Sequence, residues 1–238
     1  MKVLKNAGKY RIIHITPDVL KIIEDAGRTC YQTKDKITDE SAEKFCRMIM
    51  TRGHHSVIEH SVMIIEFSDI CRGFTHEQVR HRLTGISQES TRYVDESEFR
   101  CVVPPNHDEN ALIISHPIFE EDEISLKEWF EINESVYRQL REKGWKPQDA
   151  RQTLPIAIKS QIVISANLRE WRHIFSMRCD KYAHWEIRRV MCRLLHEVQR
   201  RVPVLFEDFV EIGRCEYDVP YYGKTGAYKE PGMPIVQQ

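Results

Sequence analysis

Residues 80–92 read Arg-His-Arg-Leu-Thr-Gly-Ile-Ser-Gln-Glu-Ser-Thr-Arg. Arginine presents a planar fork of donors that matches phosphate bidentately, and Ser87, Ser90 and Thr91 add hydroxyls. Gly85, the only glycine between Gly73 and Gly144, lets the backbone bend toward a ligand. The combination is an anion grip, and a phosphorylated ligand is the first expectation. Arg80 and Arg82, two positions apart at an expected helix end, point to different sides and so suit two ligands or two subunits.

Apolar periodicity defines the elements that must hold this stretch. Helices are expected at 17–31 and 39–52, then a polar loop over 54–60 and a buried strand over 61–67. Thr75 is read as the N-cap of a helix from 76 to about 83, which delivers Arg80 and Arg82. A short strand at 98–103, a long helix at 117–144 and a strand at 156–165 follow. Further helices are expected at 167–178, 183–202 and 204–212, the second carrying Arg188, Arg189, Arg193, Arg200 and Arg201 on a solvated or inter-subunit face. Without a repeat or linker, residues 1–212 read as one helix-rich α+β domain with a small sheet, and 213–238 as an irregular tail.

Composition restricts the function classes. Lys+Arg of 35 against Asp+Glu of 36 leaves a net charge of −1, so a general nucleic-acid-attracting field is not expected. A binding module laying Arg80, Arg82 and Arg92 on a phosphate backbone is the rival reading, weakened by the lack of aromatic residues among those arginines. Neither Gly-x-Gly-x-x-Gly nor Gly-x-x-x-x-Gly-Lys-Ser/Thr occurs, so a nucleotide must be held by side chains. The seven cysteines are scattered, without a Cys-x-x-Cys pair, and read as reduced thiols. His54, His55, Glu59 and His60 lack metal-ligand spacing, and no metal is expected. With no signal-like or membrane-length apolar stretch, a cytoplasmic protein is expected.

The spacing Arg80-His81-Arg82, seven residues, Ser90, one residue, Arg92 resembles the signature of the flavin-dependent thymidylate synthases. Gly53 to His60, Arg151 to Pro155, Asn167-Leu168-Arg169 leading to Arg178, and Ala183 to Ile187 are similar to further family segments in order and spacing. The resemblance spans roughly residues 10–212. It implies reductive methylation of dUMP to dTMP, with 5,10-methylenetetrahydrofolate as carbon donor, NADPH as reductant, FAD as cofactor and no cysteine nucleophile. It also implies a homotetramer whose sites are shared between subunits.

Carried over residue by residue, the resemblance implies that Glu77, Arg80, Gln88, Glu89, Ser90, Thr91, Arg92 and Arg151 surround dUMP. Arg178 is implied to contact the pyrimidine and favour its ionised form, with Ser90 the other residue tied to the chemistry. FAD is implied to meet His54, Ser56, Arg80, His81, Arg82, Gln88, Asn167, Arg169 and His173. On helix 167–178, Asn167, Trp171 and Arg178 are expected near one face, with Arg169 and His173 on an adjoining one. Gln88 stands where many members have glutamate, Glu89 where they have leucine, and His173 where some have asparagine.

Overall fold

The computed structural model describes residues 1–115 and 123–225. The chain starts with strands β1 (Lys2–Leu4) and β2 (Lys9–Ile15). Helices α1 (Val19–Tyr31) and α2 (Ser41–Thr51) follow because apolar residues recur at helical spacing: Val19 and Ile23 turn inward on the first, Phe45 and Ile49 on the second. The expected loop at 54–60 is a short 3-10 helix, His55–His60, that buries Val57 and Ile58 and leaves His54 and Ser56 exposed. Strand β3 (Val62–Cys71) continues past the expected end at 67 and leads directly into α3 (Arg72–Gln78).

That helix starts one turn earlier than expected. The Cys71 sulfur caps it, accepting from the Phe74 N–H at 3.4 Å, while Thr75 lies inside the helix with its hydroxyl donating to the Arg72 carbonyl at 3.0 Å. Arg80-His81-Arg82 therefore follow the helix instead of forming its end, and their directions are set by irregular chain. Nor is the following segment a simple bend: β4 (Gly85–Gln88) is extended. A Cβ at Gly85 would lie 2.5 Å from the Ser165 hydroxyl, so glycine serves close packing there.

Strand β5 (Arg100–Val102) pairs in parallel with β1, and β6 (Leu112–Ser115) pairs antiparallel with β7 (Glu123–Ser125). Helix α4 (Leu126–Glu142) opens at a capping box: the Ser125 hydroxyl accepts from the Glu128 N–H at 3.2 Å and the Glu128 carboxylate accepts from the Ser125 N–H at 2.7 Å. The helix expected from 117 thus begins at 126; of its upstream apolar positions, Ile124 belongs to β7 and 118–119 lie outside the described residues. Then come α5 (Pro147–Ala150), β8 (Lys159–Asn167), α6 (Leu168–Arg178) and α7 (Trp185–Arg201).

Past α7 the expectation fails in two places. The helix placed at 204–212 is a single turn, α8 (Pro203–Phe206), followed by β9 (Phe209–Cys215). Residues 213–224, expected to be irregular, complete β9 and form β10 (Val219–Lys224), an antiparallel hairpin anchored by the Tyr222 N–H on the Cys179 carbonyl at 2.8 Å. Residues 226–238 lie outside the described residues. Arg188 is also misplaced by the sequence reading. It is fully buried, donating to the Lys181 and Ala183 carbonyls at 2.8 and 2.7 Å and pairing with Glu216 at 2.7 Å.

A four-stranded sheet has the order β2-β3-β8-β4, giving a mixed helix-and-sheet fold. Contacts divide the chain into two compact units. The first comprises Met1–Lys9, Glu66–Arg80 and Ile86–Val163, with Phe99, Cys101, Phe130, Tyr137 and Ile158 in its core. The second comprises Tyr10–Ile65, His81–Gly85 and the chain from Ile164, centred on Trp171, Ile174, Phe175, Leu195 and Phe206. Each such fully buried side chain contributes about 1.5–3 kcal/mol. Because the chain passes between units at 9/10, 65/66, 80/81, 85/86 and 163/164, no stretch of sequence reads as a linker.

Candidate active site

In the first unit, β4 runs into the polar segment 88–92. Gln88 is half-buried, its amide donating to the Thr75 hydroxyl at 2.8 Å. The Glu89 N–H donates to the Gln161 carbonyl at 2.9 Å, and its carboxylate pairs with Lys159 at 2.8 Å, both side chains largely buried. Arg72 closes the same turn by donating to the Glu89 carbonyl at 2.8 Å. The departure from leucine at position 89 is therefore matched inside this chain by Lys159, which sequence spacing did not bring forward. Nearby Glu96 is also buried; burial, then the Glu89 charge, pushes its carboxyl up.

The hydroxyls in this segment accept one hydrogen bond from the backbone and one from an arginine side chain. The Ser90 Oγ accepts from the Arg92 N–H at 3.3 Å, and Arg151 donates to the Thr91 hydroxyl at 3.5 Å. Arg80, Arg92 and Arg151 are exposed, so their guanidinium groups remain available to an anion from solvent. Glu77 is half-buried at the end of α3, its carbonyl accepting from the Arg80 N–H at 3.4 Å. Gln78, which no sequence motif marks, is fully buried, and its amide nitrogen and oxygen have no partner among the described residues.

In the second unit, α6 starts because the Asn167 side chain accepts from the Glu170 N–H at 2.9 Å. Its last residue is Arg178, a cation favourably placed at a helix C-terminus. Arg178 Nε donates to His81 Nε2 at 3.0 Å, which leaves the neutral His81 ring with its proton on Nδ1, facing Glu170 Oε1 at 3.7 Å. His173 meets His81 edge-on, with centroids 5.6 Å apart. Arg169 and His173 are exposed on one side of α6, with Arg169 pairing with Glu59 at 2.5 Å. Trp171 is core, its indole N–H donating to the Met63 carbonyl at 2.9 Å. His54 Nδ1 and the Tyr31 hydroxyl are hydrogen-bonded at 2.8 Å, while Ser56 and Arg82 are exposed.

His81, Glu170 and His173 bring ligand atoms within 4.8 Å of one another, close enough to hold a cation. The sequence pattern brings only His54, His55 and His60 forward for such a role, because His81, Glu170 and His173 are far apart along the chain. Arg178 already occupies one His81 nitrogen and adds a positive charge beside the trio, which opposes a second cation. We therefore assign the trio to orienting Arg178.

Burial first, then the charges of Arg178 and His173, push His81 down to about 4. The ordinary histidine value is near 6.5, so between the two an unfolded chain takes up a proton that the folded one refuses. This contribution to stability is complete above about pH 6.5 and is lost as pH falls toward 4; it amounts to a few kcal/mol. Urea denaturation at pH 7.5 and pH 5 should show the wild type losing more stability on acidification than His81→Asn. Equal losses would contradict the assignment.

The thymidylate synthase complementing protein family model matches residues 11–204. A flavin-dependent thymidylate synthase of Clostridium tetani is 31% identical, covering 84% of this chain and 85% of its own. One of Mycobacterium bovis is 35% identical over 79% of this chain and 78% of its own. Among solved structures, the UMP/dUMP methylase PolB of Streptomyces cacaoi, bound with 5-Br dUMP, has a TM-score of 0.69 at 20% identity, covering 87% of this chain and 96% of that one, a likeness of fold. With the signature arginines, His81 and Arg178 in place, the chain belongs to the family of flavin-dependent thymidylate synthases.

Proposed function

We propose that the chain reductively methylates dUMP to dTMP, taking carbon from 5,10-methylenetetrahydrofolate and electrons from NADPH by way of FAD. Family membership supports the reaction, and the observation that carries it at the level of residues is Arg178 held by a neutral His81. In this reading Arg80, Arg92 and Arg151 take the dUMP phosphate, while Glu77, Gln88, Glu89 and Thr91 contact the sugar and base. Ser90 orients the loop around the reacting ring, and Arg178 stabilises the anionic pyrimidine by fixed positive charge.

The donor set suits FAD: the exposed Arg82, Arg169, His54, Ser56 and His173 of the second unit offer cations and hydrogen bonds for a pyrophosphate and an isoalloxazine edge. Asn167 spends its oxygen on the α6 cap and retains its amide N–H groups for a ligand. Arg80, His81 and Gln88 complete the proposed flavin set. When bound, FAD supplies hydride-transfer chemistry. We place the enzyme in the cytoplasm as a homotetramer with sites shared between subunits; among the described residues no helix is long and apolar enough to cross a membrane.

The chemistry uses no thiol nucleophile. Burial pushes Cys46 and Cys101 up to about 12 and raises Cys179 well above the ordinary thiol range, opposite to the lowered value that activates a thiolate. Cys30 is exposed. Cys30→Ala should therefore form dTMP at the wild-type rate, and loss of turnover in that variant would contradict a cysteine-free mechanism. The reaction itself is tested by the visible spectrum of the purified protein and by dUMP-dependent NADPH oxidation. Flavin bands and a dUMP requirement are expected; a colourless protein that does not take up added FAD would overturn the reading.

A further inference from the structure

A basic cavity between α1 and α2 has no role in the reaction as described. It encloses about 470 Å³, within the range of small-molecule sites. Arg28, Lys36, Lys44 and Arg52 line it together with the rings of Tyr31 and Phe45, and no carboxylate does. Arg28 is fixed in place, paired with Glu24 at 2.7 Å and standing 4.9 Å over the Phe45 ring. Lys36, Lys44 and Arg52 are exposed and have no carboxylate partner among the described residues.

The spacing of these cations describes the ligand. Lys44 lies on α2 and Arg52 caps its C-terminal end, eight positions on and about 12 Å away at the helical rise of 1.5 Å per residue. A single phosphate is too small to bridge them, whereas an extended chain bearing repeated carboxylates reaches both and Lys36 as well. Tyr31 joins the cavity to the proposed flavin residues, because its hydroxyl is bonded to His54 Nδ1 at 2.8 Å and the two rings stack at 6.4 Å.

We propose that this cavity binds an extended polycarboxylate, the γ-linked glutamate chain of the folate substrate, with Tyr31 and Phe45 packing against its aminobenzoyl end. The choice of folate as bearer rests on the reaction proposed above. The cavity adds affinity for long-chain folates without touching the reacting atoms.

Calorimetric titration of the full-length protein with p-aminobenzoyl-pentaglutamate and its monoglutamate tests this without turnover. Three screened ion pairs should make the longer probe bind about tenfold tighter, with the difference shrinking as salt rises. In the Lys36→Gln/Lys44→Gln/Arg52→Gln variant the difference should vanish. In steady state that variant should raise KM about tenfold for pentaglutamyl methylenetetrahydrofolate, leaving kcat and the KM values for the monoglutamate, dUMP and NADPH unchanged. Equal binding of both probes by the wild type, an undiminished preference in the variant, or a KM rise for NADPH instead would overturn the proposal. If the triple variant does not fold, Lys44→Gln and Arg52→Gln should each weaken pentaglutamate binding about twofold, and no change in either would overturn it. Failure to form dTMP from any folate would defeat the reaction while the calorimetry still decides the cavity.

Discussion

Arg178→Ala is expected to lower dTMP formation roughly 10²–10³-fold, the cost of removing one preorganised charge from a developing anion. The side chain ends α6 and is half-buried, so its position comes from rigid structure and not from a loop. His81 accepts its Nε hydrogen bond at 3.0 Å and is itself neutral, a state that keeps the guanidinium the only charge on that hydrogen bond. Because the effect falls on the transition state, kcat should drop far more than dUMP binding weakens. Single-turnover conversion of bound dUMP, followed by chromatography, checks this. A variant within threefold of the wild type, on the order of the scatter among ordinary surface changes, would remove Arg178 from the chemistry.

Asp208→Ala is expected to destabilise the protein by about 3–5 kcal/mol, because it strands a buried cation. Arg172 is 4% and Asp208 3% exposed, and Arg172 Nη1 donates to Asp208 Oδ1 at 2.8 Å. The same guanidinium bonds the Leu205 carbonyl and lies 5.1 Å from the Phe209 ring centroid, so one side chain braces α6 against the turn between α8 and β9. Replacing both partners by apolar residues, Arg172→Met with Asp208→Leu, should recover much of the loss, since neither charge then remains buried. Urea unfolding of the three proteins measures both outcomes. A loss below about 1 kcal/mol in Asp208→Ala, the level of an exposed pair, would show that water reaches the site.

The family signature was more legible in the sequence than the contacts that hold its residues. Fixed spacing made the signature positions Arg80, His81, Arg82, Ser90 and Arg92 readable, and the helix expected at 167–178 is found at Leu168–Arg178, with Asn167 as its cap. The partners that set those groups were not readable, because they lie far along the chain. Lys159 meets Glu89 across 70 positions, and Arg178 meets His81 across 97. Periodicity also misled where two signals competed. Apolar residues upstream of Ser125 extended the apparent α4 helix, although the Ser125-to-Glu128 capping box already marked its true start.

Elsewhere the misreadings have local physical causes. The Gly, Pro and Tyr content of 213–224 suggested an irregular tail, but Tyr217 and Asp218 adopt left-handed backbone, φ 60° and 57°, and turn the chain into a hairpin. Trp171 and Arg178 share a stripe of α6, and the indole, with the larger apolar area to bury, goes to the core while Arg178 stays half-buried at the helix end. A run of arginines on α7 suggested a solvated or inter-subunit face, but Arg188 finds two carbonyls and a carboxylate at the buried end of its reach.

The central claim is tested most directly by incubating the protein with dUMP, 5,10-methylenetetrahydrofolate, NADPH and FAD and separating the nucleotides. The account predicts dTMP from the full mixture and none when the folate, the reductant or dUMP is left out. Unchanged dUMP in the full mixture, or dTMP formed at the same rate by protein stripped of flavin, would contradict it.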